Sequence, residues 1–75
     1  MNKHRTYKNL ERALEREERS LRWLSRKLGT HYQTVLKWKL PGIPVWWAEN
    51  IAKALNSTSD NDYTIKDFKK TRFEV

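Results

Sequence analysis

Cysteine is absent from this 75-residue sequence, and glycine and proline occur only twice each. Without thiols the chain has neither a disulfide framework nor thiolate ligands for a metal, and such a composition suits a reducing cytoplasm. No apolar run approaches the roughly 18 residues of a membrane-spanning helix. The basic N-terminus leads into a charged segment rather than an apolar one, so we expect no secretory signal.

Motifs that carry catalysis are missing as well. His4 and His31 have no cysteine or paired carboxylate at ligand spacing, and no serine stands in a nucleophile motif. Gly29 and Gly42 cannot form a phosphate-cradling loop. We therefore expect no enzyme activity, no catalytic residue, no cofactor and no metal.

Acidic residues are absent from residues 19–48, although the whole chain has nine. The charged residues of this block are all basic: Arg19, Arg22, Arg26, Lys27, Lys37 and Lys39. The formal net charge of the chain is +7 at pH 7. Such a balance favours a polyanionic partner, either nucleic acid or an acidic membrane surface.

The spacing inside this block predicts two short helices joined at Gly29. A helix that begins after an N-cap at Ser20 has one buried stripe, formed by Leu21, Leu24, Ser25 and Leu28. Ser25 is small where a second helix would cross closely. Gly29 follows at the position where a helix ends in the left-handed conformation. Two helices hinged in this way are typical of a helix-turn-helix, which lays its second helix in the DNA major groove.

The second helix, over about residues 31–39, has two different faces. The face expected to point inward contains His31, Thr34, Val35 and Trp38. The opposite face contains Tyr32, Gln33, Leu36 and Lys37, and it spans about 140° of arc at about 100° per residue. This outer face of the second helix is free to meet a partner.

Patterns outside this block predict an all-α fold, a small domain of four to five helices over residues 7–70. A first helix is expected over about 7–18, a fourth from Pro44 to Leu55, and a short fifth over about 65–70 after a capping box of Thr64 and Asp67. Residues 1–6 form a basic N-terminal tail that either tracks DNA as an arm or is disordered. Residues 71–75 form a C-terminal tail.

Residues 21–55 resemble the Cro/repressor class of helix-turn-helix proteins, in particular small phage-type Cro and YdaS-like regulators. The matching residues are Leu24-Ser25, Leu28-Gly29, Thr34-Val35, Trp38, Ile43-Pro44, Ala48 and Ile51. Two positions depart from the family, which usually has serine in place of His31 and alanine in place of Ser25. The resemblance implies a lambda-repressor-like architecture and a cytoplasmic transcription regulator, in a bacterial or phage-infected cell, that binds an operator and commonly dimerises.

The side chains themselves suggest how DNA would be contacted. Gln33 can pair with adenine, Lys37 can donate to guanine, and Leu36 can touch a thymine methyl group. The predicted base contacts are Tyr32, Gln33, Leu36 and Lys37, although Tyr32 could instead reach a phosphate or sugar. The predicted phosphate contacts are Arg22, Arg26, Lys27 and Lys39.

One recognition helix reads only about four or five base pairs, so we expect a weak homodimer on an inverted-repeat operator. Trp38 and Trp47 fit the inward faces of their helices, whereas Trp46 is left exposed and is the predicted dimer contact. Further apolar candidates in the C-terminal third are Tyr63, Phe68, Phe73 and Val75.

Two other functions remain open on the same scaffold. One is a protein-interaction module, antitoxin-like or a phage inhibitor, because fold does not determine function. The other is a phage early activator or an excisionase-like factor. The residues do not distinguish a repressor from an activator, and they do not specify the operator sequence.

Overall fold

The computed structural model describes residues 3–71. Over these residues the fold is all-α, as predicted, and no strand is present. The five helices are α1 (Arg5–Arg16), α2 (Leu21–Leu28), α3 (Tyr32–Leu36), α4 (Val45–Asn56) and α5 (Ile65–Phe68). The expected C-terminal tail, including Phe73 and Val75, lies outside the described residues except for Thr71.

Local signals determine both ends of α2. The backbone N–H of Trp23 donates to the Ser20 hydroxyl over 3.0 Å. Ser20 is therefore the N-cap of α2, as predicted. Gly29 ends the helix with φ 70°, and the next backbone N–H, of Thr30, donates to the Ser25 carbonyl over 3.0 Å. This left-handed turn is the predicted one, and it directs the chain into α3.

Helix α4 packs against both α2 and α5, and α5 also packs against α1. One core therefore joins all the helices. Its buried apolar residues are Tyr7, Leu10, Ala13, Leu14, Leu24, Val35, Trp38, Ile43, Ala48, Ile51, Ala52, Leu55, Tyr63 and Phe68. Trp47, which was predicted to face inward, is half-buried against this cluster.

Helix α1 begins two residues earlier than predicted, because His4 acts as its cap. The His4 ring nitrogen Nδ1 accepts the backbone N–H of Thr6 over 3.1 Å. Lys3 pairs with Glu11 over 2.8 Å. The expectation of a free tail is therefore wrong for residues 3–6, which belong to the folded domain. Serine, threonine, aspartate and asparagine are the usual caps, so a histidine at the position directly before Arg5 did not indicate this helix start.

Helix α3 is shorter than the predicted range of 31–39. After Leu36 the chain continues in tighter turns, in which the backbone N–H of Trp38 donates to the Val35 carbonyl and that of Lys39 to the Leu36 carbonyl. Pro44 is the N-cap of α4 rather than its first residue. Helix α5 ends at Phe68, and the predicted capping box of Thr64 and Asp67 is present.

A hydrogen-bonded cluster fastens the polar loop after α4 to the end of α1. The Tyr63 hydroxyl donates to Glu17 Oε2 over 2.6 Å, and the Asn61 amide donates to the same oxygen over 2.7 Å. The hydrogen bond from Tyr63, with those from Ser59 and Asn61, lowers the pKa of Glu17. Burial raises the pKa of Tyr63, and the hydrogen bond to Glu17 raises it further.

Replacing Glu17 by glutamine should lower the free energy of unfolding near pH 7 and flatten its pH dependence. Because folding lowers the Glu17 pKa, the carboxylate stabilises the folded state above its ordinary pKa of 4.5, and this contribution is lost as the pH falls through the folded value. Urea unfolding near pH 7 and near pH 3 should therefore show a smaller loss on acidification in Glu17→Gln than in the wild type.

The matched control is Glu15→Gln, a change at an exposed glutamate of the same helix. It should keep the wild-type loss of stability on acidification. An equal loss in Glu17→Gln and wild type would show that the hydrogen bonds of Glu17 contribute nothing to folding.

Candidate nucleic-acid interface

The acid-free block becomes α2, α3 and the loop to α4, and it presents an exposed basic surface. Its exposed cations are Arg19, Arg22, Arg26, Lys27, Lys37 and Lys39. Within residues 3–71 none of them forms an ion pair with a carboxylate. They therefore give this surface a positive potential, which favours the approach of anions.

Helix α3 separates a core face from an outer face. Val35 and Trp38 are buried, and the Trp38 ring lies 5.8 Å from the Trp47 ring. On the outer face Gln33 and Lys37 are exposed, while Tyr32 and Leu36 are half-buried. The core face therefore stabilises this short helix. The polar groups of Gln33 and Lys37 on the outer face remain available to contact a partner.

The prediction that His31 faces inward is wrong, because His31 is exposed. It is the N-cap of α3 with extended backbone (φ −78°, ψ 145°), so it lies outside the helical periodicity that the pattern assumed. Its side chain makes no capping hydrogen bond. His31 therefore joins the exposed surface beside Tyr32.

Arg22 and Tyr32 connect α2 to the start of α3. The Arg22 guanidinium carbon lies 4.2 Å from the centre of the Tyr32 ring, a cation–π contact. Arg26 follows Arg22 by one helical turn and shares its side of α2. Nothing local in the sequence marks the contact, since it depends on how α3 crosses α2.

Lys27 lies on a different flank of α2. Its ammonium group is 5.9 Å from the centre of the Trp23 ring, which also has the Arg19 guanidinium at 5.0 Å. Lys27 borders a groove of about 410 Å³ that it shares with Asn50 and Lys53 of α4. The four predicted phosphate contacts thus do not share one side of α2. Around the helix axis, Lys27 lies about 100° from Arg26, the angle between consecutive helical residues.

The loop after α3, which carries Lys39, is held by the start of α1. The backbone N–H of His4 donates to the Lys39 carbonyl over 2.8 Å. The backbone N–H of Ile43 donates to the buried Thr6 hydroxyl over 3.0 Å. Gly42 has φ 91°, and a Cβ atom there would lie 2.7 Å from the His4 ring, so this close approach requires glycine. The sequence pattern did not predict these two hydrogen bonds or the close approach at Gly42.

An apolar surface lies at the start of α4. Trp46 is 74 % exposed, and Leu40 and Val45 are also exposed. The C-terminal candidates Tyr63 and Phe68 are instead buried, because this small core needs their rings, which lie 6.2 Å apart. They therefore cannot supply the expected dimer surface, and Trp46 remains available.

The chain matches no protein-family model, no curated protein and no solved structure. No helix within residues 3–71 has the length and apolar character needed to cross a membrane. In the same residues no histidine, aspartate and glutamate side chains form a group of three or more that could hold a metal ion.

Proposed function

We propose that this chain is a sequence-specific regulator that binds double-stranded DNA, with α2 and α3 acting as a helix-turn-helix. The observation that carries the proposal is the outer face of α3, where exposed Gln33 and Lys37 are flanked by cations without acidic partners. In this arrangement α3 enters the major groove and α2 lies across the phosphate backbone.

The chemistry of the outer face favours DNA over an acidic membrane surface. The Gln33 amide carries a donor and an acceptor, which match the N6 and N7 positions of adenine, and Lys37 can donate to guanine. The headgroups of a lipid surface do not present a donor and an acceptor at the fixed spacing of a base edge. Arg22, Arg26, Lys27 and Lys39 supply affinity through phosphates rather than sequence choice.

The regulator we propose resembles phage-type Cro repressors, is not an enzyme, and acts in the cytoplasm without a cofactor. The exposed Trp46 favours a second candidate role for the same scaffold, a contact with another protein. Binding to random duplex DNA at increasing salt distinguishes the two. A DNA-binding protein weakens steeply with salt, whereas a module that binds only proteins has little affinity for DNA at any salt.

Replacing Gln33 or Lys37 by alanine should weaken binding to the best DNA site by about 1–3 kcal/mol and change binding to random duplex little. The reason is that base contacts contribute only where the matching base is present. Affinities should be measured on a site selected from a random pool and on a scrambled duplex. Lys66→Ala, at an exposed lysine of α5, is the control and should alter neither affinity. Equal losses on both duplexes would assign these side chains to phosphates.

Replacing Arg26 by alanine should weaken binding uniformly across sequences, because a phosphate contact carries no base information. The slope of log affinity against log salt should become shallower by about one unit for the lost contact. Lys66→Ala again provides the comparison, with the wild-type slope expected. An unchanged slope in Arg26→Ala would remove this residue from the interface.

Assembly on an operator should depend on Trp46. We expect a weak dimer that is completed on DNA, since a domain of this size offers limited interface area. Analytical ultracentrifugation with an inverted-repeat duplex should show two protein chains per duplex for the wild type and mainly one for Trp46→Ala. The dimer would be contradicted if the wild type bound a half-site as tightly as the full repeat and formed no complex of two chains per duplex.

A further inference from the structure

We propose that Tyr32 is a positioning residue whose ring holds Arg22 in place for a DNA phosphate, and that Tyr32 does not itself read a base. This inference rests on the proposed DNA-binding function and deepens it. It revises the role that the sequence pattern suggested for Tyr32, because the structure places the ring beneath a guanidinium group.

The Arg22–Tyr32 contact is the tightest cation–π contact among residues 3–71. The other cations lie 5.0–6.0 Å from their ring centres, against 4.2 Å for Arg22. A separation of 4.2 Å brings the guanidinium close enough to stack on the ring. A planar guanidinium that stacks in this way keeps the N–H donors along its edge free for a phosphate.

The surroundings of Arg22 leave those donors without a competing acid. Within the described residues no carboxylate pairs with its side chain. The Ser25 hydroxyl donates to the Arg22 backbone carbonyl over 2.8 Å, so this contact occupies none of the guanidinium donors. The Tyr32 ring is therefore the partner that the structure gives to the Arg22 side chain.

Stacking of Arg22 on the Tyr32 ring favours phosphate binding, because an arginine side chain that is free beforehand loses conformational entropy when it contacts a phosphate. A guanidinium that is already held on a ring has lost much of this freedom before DNA arrives. Arg22 also lies on α2, the helix that crosses the backbone in the proposed arrangement. These two features assign it to a phosphate rather than to a base edge.

The same contact limits what Tyr32 can do on DNA. The guanidinium covers one face of its ring, and the residue is half-buried. The neighbouring Gln33 is exposed on the same outer face. Base reading therefore belongs to Gln33 and Lys37, and Tyr32 acts on DNA through Arg22.

A double-mutant cycle on the selected duplex tests this role. Tyr32→Leu should weaken binding about 3- to 10-fold when Arg22 is present, the range expected for losing one pre-ordered side chain. In an Arg22→Ala background the same change should have an effect below about twofold, because the group that the ring positions is gone. Tyr32→Phe keeps the ring and should restore the affinity lost in Tyr32→Leu.

Arg26 supplies the matched control cycle, since it is an exposed arginine one turn further along α2 that contacts no aromatic ring within residues 3–71. The losses of binding free energy caused by Arg26→Ala and by Tyr32→Leu should add in the double variant, without a coupling between the two residues. Tyr32→Leu should also leave base preference unchanged, as measured on the selected and scrambled duplexes. Thermal melting of each variant checks that it is folded.

If Tyr32→Leu does not fold, Arg22→Lys provides the test without touching the ring. It keeps the charge but loses the planar fork, so affinity should fall by a similar factor while the salt slope stays unchanged. Wild-type affinity in Arg22→Lys would overturn the positioning role.

The remaining outcomes separate this inference from the proposed function. A wild-type chain that binds no duplex at low salt would overturn DNA binding and this role with it. Normal wild-type binding with additive losses in the Arg22–Tyr32 cycle would overturn only the positioning role. A changed base preference in Tyr32→Leu would do the same, because Tyr32 would then read a base.

Discussion

The left-handed turn at Gly29 is the constraint on which the proposed interface depends. Helix α3 has only five residues, too few to be stable as an isolated helix in water. It forms because the turn directs Val35 and Trp38 into the core, while the small Ser25 lies buried in α2. The position of the outer face of α3, on which Gln33 and Lys37 are exposed, follows from this packing.

Charge and packing are divided between different parts of the molecule. The core is built from α1, α4, α5 and the inner faces of α2 and α3, and it includes the rings of Tyr63 and Phe68. The basic residues of the acid-free block are left on the surface, and among residues 3–71 none of them forms an ion pair with a carboxylate. Basic side chains without carboxylate partners repel one another and add little to folding, which is why we propose a partner of opposite charge for this surface.

The start of α1 contributes to the same region from a distance. The backbone N–H of His4 donates to the Lys39 carbonyl, and the Thr6 hydroxyl accepts the backbone N–H of Ile43, so both residues hold the loop that follows α3. Buried hydrogen bonds of this kind cost most when one partner is removed, so they limit how far the loop can move. The first helix thus supports both the core and the segment that presents Lys39.

The sequence by itself determined the all-α class, the capping of α2 by Ser20, the turn at Gly29 and the capping box of α5. Each depends on residues at most a few positions apart, where spacing and side-chain type are decisive. Tertiary structure alone decided the Arg22–Tyr32 stack, the burial of Tyr63 and Phe68, and the bond from Tyr63 to Glu17, 46 residues away. Such contacts arise from the crossing and packing of helices, and no local pattern encodes which distant side chains meet there.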